Sequence, residues 1–387
     1  MIRKLVMQCT VIGVTLVSIA SAELKQIGAW VGGSGTYPQP TKSNVEAFQT
    51  LQNRHLDIIS LFVVWNTNDW AWTKTYADIA AENNSMLLVT WMANGYTTQR
   101  IINGEADTYL KAYAQGVNSF GKEIWLRPFH EANGDWYDWG IAKSGAGNTN
   151  QTLVGAWKHV VAIFRDLGVT NVKWVWTTNA TNSGSATFTG WFPGDDWVDM
   201  VSIDGYNWGT AQSWSSWQSF TQVFTPAYTA LSISSKPLFI PEFSCTEHGG
   251  NKAQWITDMF TDVPAKFPRI FALMWFSQSK SAEADWAVNT SDAALNAWKE
   301  GISKIASVPI KMNLRPSIRR GWPESRHALV FGAMNTAMNI VNLQGRMLDN
   351  NKELMPASGI YIERPAFQAK ERLLKMERTI FRPERDK

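Results

Sequence analysis

The chain predicts an α/β fold, a (β/α)8 TIM barrel carrying a basic C-terminal extension. Eight short apolar runs recur along it, beginning at Ile27, Asp57, Met86, Glu123, Val172, Asp199, Pro237 and Ile270. Most of the long intervals between them carry apolar residues at helical spacing. Several runs are apolar almost throughout, as strands covered on both faces must be. An open doubly wound sheet has the same alternation, but no glycine-rich phosphate loop follows the first run. Eight such units over about 280 residues therefore close a barrel.

In chain order, strand one is residues 27–31, and a helix-compatible pattern follows over 45–54. Strands two and three are 57–64 and 86–91. A helix over 106–120 leads to strand four at 123–129. The pattern over 152–167 supplies the next helix, before strand five at 172–177. Strands six and seven are 199–204 and 237–243. A helix over 253–260 then leads to strand eight at 270–276.

The 387 residues suffice for one large barrel or two ordinary domains, and 45% hydrophobic content supports a sizeable core. Tryptophan is unusually frequent, with 21 copies, all but one before residue 305. Some are core ballast, and the excess suggests an aromatic-lined cleft of the kind that holds carbohydrate. Residues 1–22 read as a secretory signal: Arg3 and Lys4, an apolar run, then Ala20-Ser21-Ala22. A membrane anchor is the alternative, but the run is short and is interrupted by Gln8, Thr10 and Thr15. Cys9 leaves with the signal, so Cys245 has no intramolecular partner in the mature chain.

The barrel is expected over residues 23–304, and composition changes at 305. From there to 387, 15 Lys and Arg face 8 Asp and Glu, which gives the extension +7. The whole chain is +3, so residues 1–304 sum to −4. The extension reads as a partly disordered appendage. A polyanion- or membrane-binding arm is the alternative, but its basic residues are scattered rather than clustered.

Chemistry concentrates where barrel strands end. Trp125-Leu-Arg-Pro-Phe-His-Glu-Ala-Asn-Gly-Asp-Trp-Tyr-Asp-Trp-Gly140 closes strand four with Arg127, His130 and Glu131 amid indoles. Strand six ends in Asp204-Gly-Tyr206-Asn207-Trp208, strand seven in Glu242, and strand eight carries Trp275 and Phe276. Glutamates at the ends of strands four and seven face each other across the mouth. Retaining glycosidases use such a pair about 5–5.5 Å apart. Glu131 suits the acid/base, because burial against Trp136 and the charge of Glu242 would raise its pKa. Glu242 suits the nucleophile, with Tyr206 and Arg127 as donors to its oxygens. No second His follows His130-Glu131 at zinc-protease spacing, and no Gly-x-Ser-x-Gly elbow occurs.

The strand-four segment Arg127-Pro-Phe-His-Glu-Ala-Asn-Gly134 resembles the acid/base motif of glycoside hydrolase family 26. Ile240-Pro-Glu-Phe243 resembles the nucleophile strand of that family, with Pro241 where Ala is usual. Phe192-Pro-Gly-Asp-Asp-Trp-Val-Asp199 resembles its loop before strand six. The resemblance implies a retaining barrel glycosidase with Glu131 as acid/base and Glu242 as nucleophile. It places His130 beside the acid and implies that Trp136, Tyr206 and Trp275 shape the sugar subsite, with Arg127 and His130 among the substrate-binding residues. It implies no cofactor and no metal. The expected partner is a β-linked polysaccharide, with no nucleic acid, no membrane and a monomeric enzyme.

Most members of the family are endo-β-1,4-mannanases, which commonly have Met where this chain has Ala132. Gly28-Ala-Trp-Val-Gly32, Ser202-Ile-Asp-Gly-Tyr-Asn-Trp-Gly209 and Gly249-Gly-Asn-Lys-Ala-Gln-Trp255 look more like the lichenase branch. The expected activity is therefore secreted cleavage of mixed-linkage β-1,3/1,4-glucan. A mannanase is the runner-up, and an inactive carbohydrate-binding protein the remote alternative.

Overall fold

Side chains alternate direction along a strand, so a closed sheet sorts its apolar residues into two cores. The computed structural model, which describes residues 24–32, 39–280 and 283–306, shows this sorting throughout. The segment 1–22 expected to be a secretory signal and the residues from 307 onward lie outside the described residues. The first part of the chain runs β1 (Gln26–Val31), α1 (Lys42–Gln52), β2 (Ile58–Val64), α2 (Trp70–Glu82), β3 (Met86–Met92), α3 (Thr98–Ile102), α4 (Asp107–Phe120) and β4 (Ile124–Pro128). It continues as α5 (Asn150–Asp166), β5 (Val172–Asn179), β6 (Met200–Asn207), α6 (Phe220–Ala230), β7 (Leu238–Cys245), α7 (Lys252–Lys266) and β8 (Ile270–Ser277). A short hairpin, β9 (Ser279–Lys280) and β10 (Ala284–Asp285), precedes α8 (Asp292–Ser303).

Strands β1 to β8 pair in parallel, each with the next, and β8 pairs back onto β1 from Gln26↔Ala272 to Val31↔Ser277. The barrel expected from the eight apolar runs is therefore closed. Ile58, Leu88, Trp125, Val175, Phe239 and Met274 fill its lower interior, while the alternate residues pack outward beneath the helices. Nearer the C-terminal ends the inward positions turn polar: Ser60, Thr90, Arg127, Thr177, Ser202 and Asp204, all buried. This polar layer is the base of the mouth.

Helix starts are marked by side chains that accept an orphan backbone N–H. Thr41, Asp69, Ser219, Asn251 and Ser291 do so for α1, α2, α6, α7 and α8. Between β5 and β6 there is no α-helix, only a single 3-10 turn at Asp195–Trp197. Pro193 and Gly194 (φ 99°) break any helical course there. Trp191 covers the sheet instead, its ring 4.3 Å from that of Trp176.

Strand β7 carries one residue too many. Ser202 pairs with Phe239 but Asp204 pairs with Glu242, so three steps on β7 match two on β6. The extra residue falls near Pro241, which has no N–H to give the ladder. Phe239 faces the interior, so an unbulged strand would turn Pro241 inward; the bulge brings Glu242 there instead. At the other end, Ile305 packs on the outer core and its carbonyl accepts from Arg54 Nη1 at 2.7 Å. The barrel thus runs at least one residue past the 304/305 boundary read from composition. Among the described residues, no helix is long and apolar enough to cross a membrane.

Candidate active site

The chain leaves β4 through two non-glycine residues in the left-handed region, Phe129 (φ 53°) and Glu131 (φ 55°). Each such residue costs on the order of 1 kcal/mol, a strain that persists only where surrounding bonds enforce it. Here the bonds are visible. Glu131 N–H donates to Thr177 O on β5 at 3.1 Å. Asn133 rivets the turn to the end of β5: its amide donates to Asn179 O and Thr181 O, and its Oδ1 accepts from Asn179 N. That arrangement aims Asn179 Nδ2 at Glu131 Oε1, 2.8 Å away. The other oxygen, Oε2, accepts from Trp136 Nε1 at 2.8 Å.

Opposite, Glu242 sits on β7 with its side chain 12% exposed. Tyr206 Oη donates to its Oε1 at 2.5 Å and Arg127 Nη2 to its Oε2 at 2.8 Å. Arg127 is fully buried and also grips Asp204 Oδ2 through Nη1 and Thr90 Oγ1 through Nε and Nη2. One guanidinium therefore bridges two carboxyls and a hydroxyl. Burial raises the Glu131 carboxyl from 4.5 to about 7, and the charge of Glu242 adds to this. The bonds from Asn179 and Trp136 and the charge of Arg127 pull the other way and lose. Trp136, itself 44% exposed, touches this carboxyl through its Nε1. Asp204 is also pushed well up, by burial and by Glu242 and Glu131 against Arg127.

Removing the shared cation should be costly. Arg127→Met leaves Asp204 and Glu242 buried beside each other without a counter-charge, and we expect a loss of about 3–5 kcal/mol in a denaturant melt. A variant as stable as wild type would show that the cluster holds itself neutral without the arginine.

Of the residues expected from sequence, Glu131, Glu242, Arg127, His130, Trp136 and Tyr206 converge on the mouth. Trp275 does not. It is fully buried on the outer face of β8, its ring 5.0 Å from Phe243 and 5.2 Å from Trp298. Met274 and Phe276 take the inward positions on either side, so alternation sends Trp275 out. Phe276 takes the place expected of it, stacked at 4.7 Å on Trp30. Arg127 and His130 converge on the mouth as fully buried side chains beneath its exposed lining. His130 meets the Tyr137 hydroxyl through Nε2 at 2.9 Å, and burial, reinforced by Arg127, holds its imidazole well below its usual pKa, hence neutral.

Sequence reasoning missed Asn179, Asn133, Tyr137 and Trp286. Asn179 was reachable, because it shares the inward side of β5 with Val175 and Thr177. Trp286 lies in the loop after β10, where no periodicity applies. Its ring is 4.8 Å from both Tyr206 and Trp208.

Residues 57–243 match the family model "Glycosyl hydrolase family 26". The chain belongs to this family. Endoglucanase H of Acetivibrio thermocellus is 49% identical over 286 residues, covering 73% of this chain and 31% of that protein. Mannan endo-1,4-beta-mannosidase A and B of Caldalkalibacillus mannanilyticus is 23% identical over 206 residues, 51% of this chain and 37% of that protein. The match thus spans about a third of the length of these curated relatives. Among solved structures, GH26C from Muricauda sp. aligns with TM-score 0.55 at 17% identity, covering 75% of this chain and 88% of that one. A GH26 beta-mannanase from Bacteroides ovatus aligns with TM-score 0.53 at 14% identity, covering 80% and 96%. At such identities the structural matches establish the barrel and nothing finer.

Proposed function

We propose that this family 26 barrel is a retaining endo-β-1,4-glycanase, with mixed-linkage β-1,3/1,4-glucan as its first substrate. The observation that carries the reading is the pair of unlike carboxyls at one mouth. Glu131 is raised to about 7, so at neutral pH it can hold a proton to give. Glu242 is oriented by Tyr206 and Arg127 and is aimed at the opposite side of a bound ring. In the first step a Glu242 oxygen bonds to the anomeric carbon while the glycosidic bond breaks and its oxygen takes the Glu131 proton. In the second, Glu131 takes a proton from water, the water oxygen bonds to the same carbon, and Glu242 is released. Two inversions leave the configuration unchanged.

Trp136 at the β4 side and Trp214, 70% exposed beside Trp208, offer apolar faces at both flanks of the mouth. That suits a groove through which a polymer passes, hence endo action. Preference for glucan rests on the 49% identical relative being called an endoglucanase, whereas the relatives called mannosidases are more distant. Export by way of the N-terminal segment belongs to the same proposal, because a polymeric substrate lies outside the cell.

The test is the product profile of the purified full chain on barley β-glucan, glucomannan and galactomannan, with the anomer formed first read by NMR. We expect β-glucan to be cleaved at least tenfold faster than either mannan, with the β-anomer appearing first. Faster cleavage of mannans would move the substrate to the mannanase class, since glucose and mannose differ at one hydroxyl. Binding without cleavage of any of the three would leave only a carbohydrate-binding protein.

A further inference from the structure

Lys252 opens α7 and is fully buried, where lysine is rarely found without a carboxylate partner. Among the described residues it forms no ion pair. Its ammonium donates to Ala287 O at 2.6 Å and lies 5.4 Å over the Trp275 ring. The neighbouring carbonyl, Trp286 O, accepts two more hydrogen bonds, from Trp275 Nε1 and Ser244 Oγ, each at 2.8 Å. Three side chains from three elements, β7, α7 and β8, thus hold two successive carbonyls of one loop. The side chain of that loop, Trp286, packs against Tyr206, and Tyr206 donates to Glu242.

We propose that Lys252 is a positioning residue for the nucleophile: with Trp275 and Ser244 it fixes the 286–287 backbone, and so the indole that aligns Tyr206 on Glu242. The inference rests on Glu242 being the nucleophile. It accounts for a buried cation that the chemistry itself does not use, and for the outward-facing tryptophan on β8. It also gives the Gly249-Gly-Asn-Lys252 segment a task at the mouth. Burial lowers the Lys252 ammonium to about 8. The groups facing it are Cys245 of β7, Glu247 in the loop after it and Asp285 of β10, all of which raise it.

The experiment uses Lys252→Met, which keeps the length and removes the charge and the donors. Its readouts are the crystal structure and the rate of covalent inactivation by a 2-deoxy-2-fluoro β-glucoside, which reports attack by Glu242 alone. We expect loop 285–288 and the Trp286 indole to be displaced, and inactivation to slow about tenfold. KM should change less than kcat, and the thermal midpoint only by a few degrees. If Lys252→Met does not fold, Ser244→Ala and Trp275→Phe each remove one donor to Trp286 O and should shift the same two readouts, each by a smaller factor. A folded variant with Trp286 in place, or with unchanged inactivation, overturns the proposal. A displaced Trp286 in a protein whose wild type resists the inhibitor would support the clamp and count against Glu242 as nucleophile.

Discussion

Glu242→Ala is expected to abolish turnover of every β-glycan, with kcat falling by about four orders of magnitude or more. The loss follows from the proposed role: without the β7 carboxylate no glycosyl ester forms, and Glu131 has no partner step. Fold and substrate binding should survive. The side chain is partly exposed, and Arg127 keeps Asp204 as its counter-ion. Added azide should rescue cleavage of an activated aryl glycoside, entering from the vacated face and giving a product of inverted configuration. Retained activity without azide, or rescue with retained configuration, would remove Glu242 from the centre of the reaction.

Glu131 governs the second large effect, which is a dependence on pH. An acid raised to about 7 gives its proton readily below that pH and has lost it above, so kcat/KM for polymer should decline on the alkaline side of about 7. Glu131→Ala should lose polymer hydrolysis by about 10²–10⁴-fold while sparing attack on substrates whose leaving group needs no proton. On those substrates the alkaline decline should vanish as well. Stability carries a linked signature. The folded protein binds this proton more tightly than the unfolded chain, so stability falls as pH rises from 4.5 to about 7 and is level beyond. The drop amounts to about 3 kcal/mol for a fully expressed shift, and Glu131→Gln should remove it from a series of denaturant melts. An unchanged alkaline limb in the Glu131 variants would assign the proton to another group, with Asp204 the first to examine.

Much of this was legible in the amino-acid order. The eight apolar runs became the eight strands because parallel strands buried on both faces have to be apolar. The two glutamates were found because strand ends of a barrel share one mouth. The same continuous apolarity hid the direction of individual side chains. Across Leu273-Met-Trp-Phe276 every residue suits either core, so composition could not tell Trp275 from Phe276. Helical spacing was read in most intervals but in none between β5 and β6, and there Trp191 does the covering that a helix does elsewhere. Asn133 was passed over because an asparagine in a turn is ordinarily a turn former, and only the folded loop shows it holding Asn179, whose amide meets Glu131.

The extra residue near Pro241 also bears on how such an enzyme can diversify. Whichever side chain follows the irregularity inherits the inward view, so the spacing between Phe239 and Glu242 matters more than what occupies it. Substitution inside this segment is tolerable in principle, whereas gain or loss of a single position would rotate the carboxylate into the greasy layer beneath the helices. A change of length is better borne by the connections above the sheet, which can vary without turning Glu242.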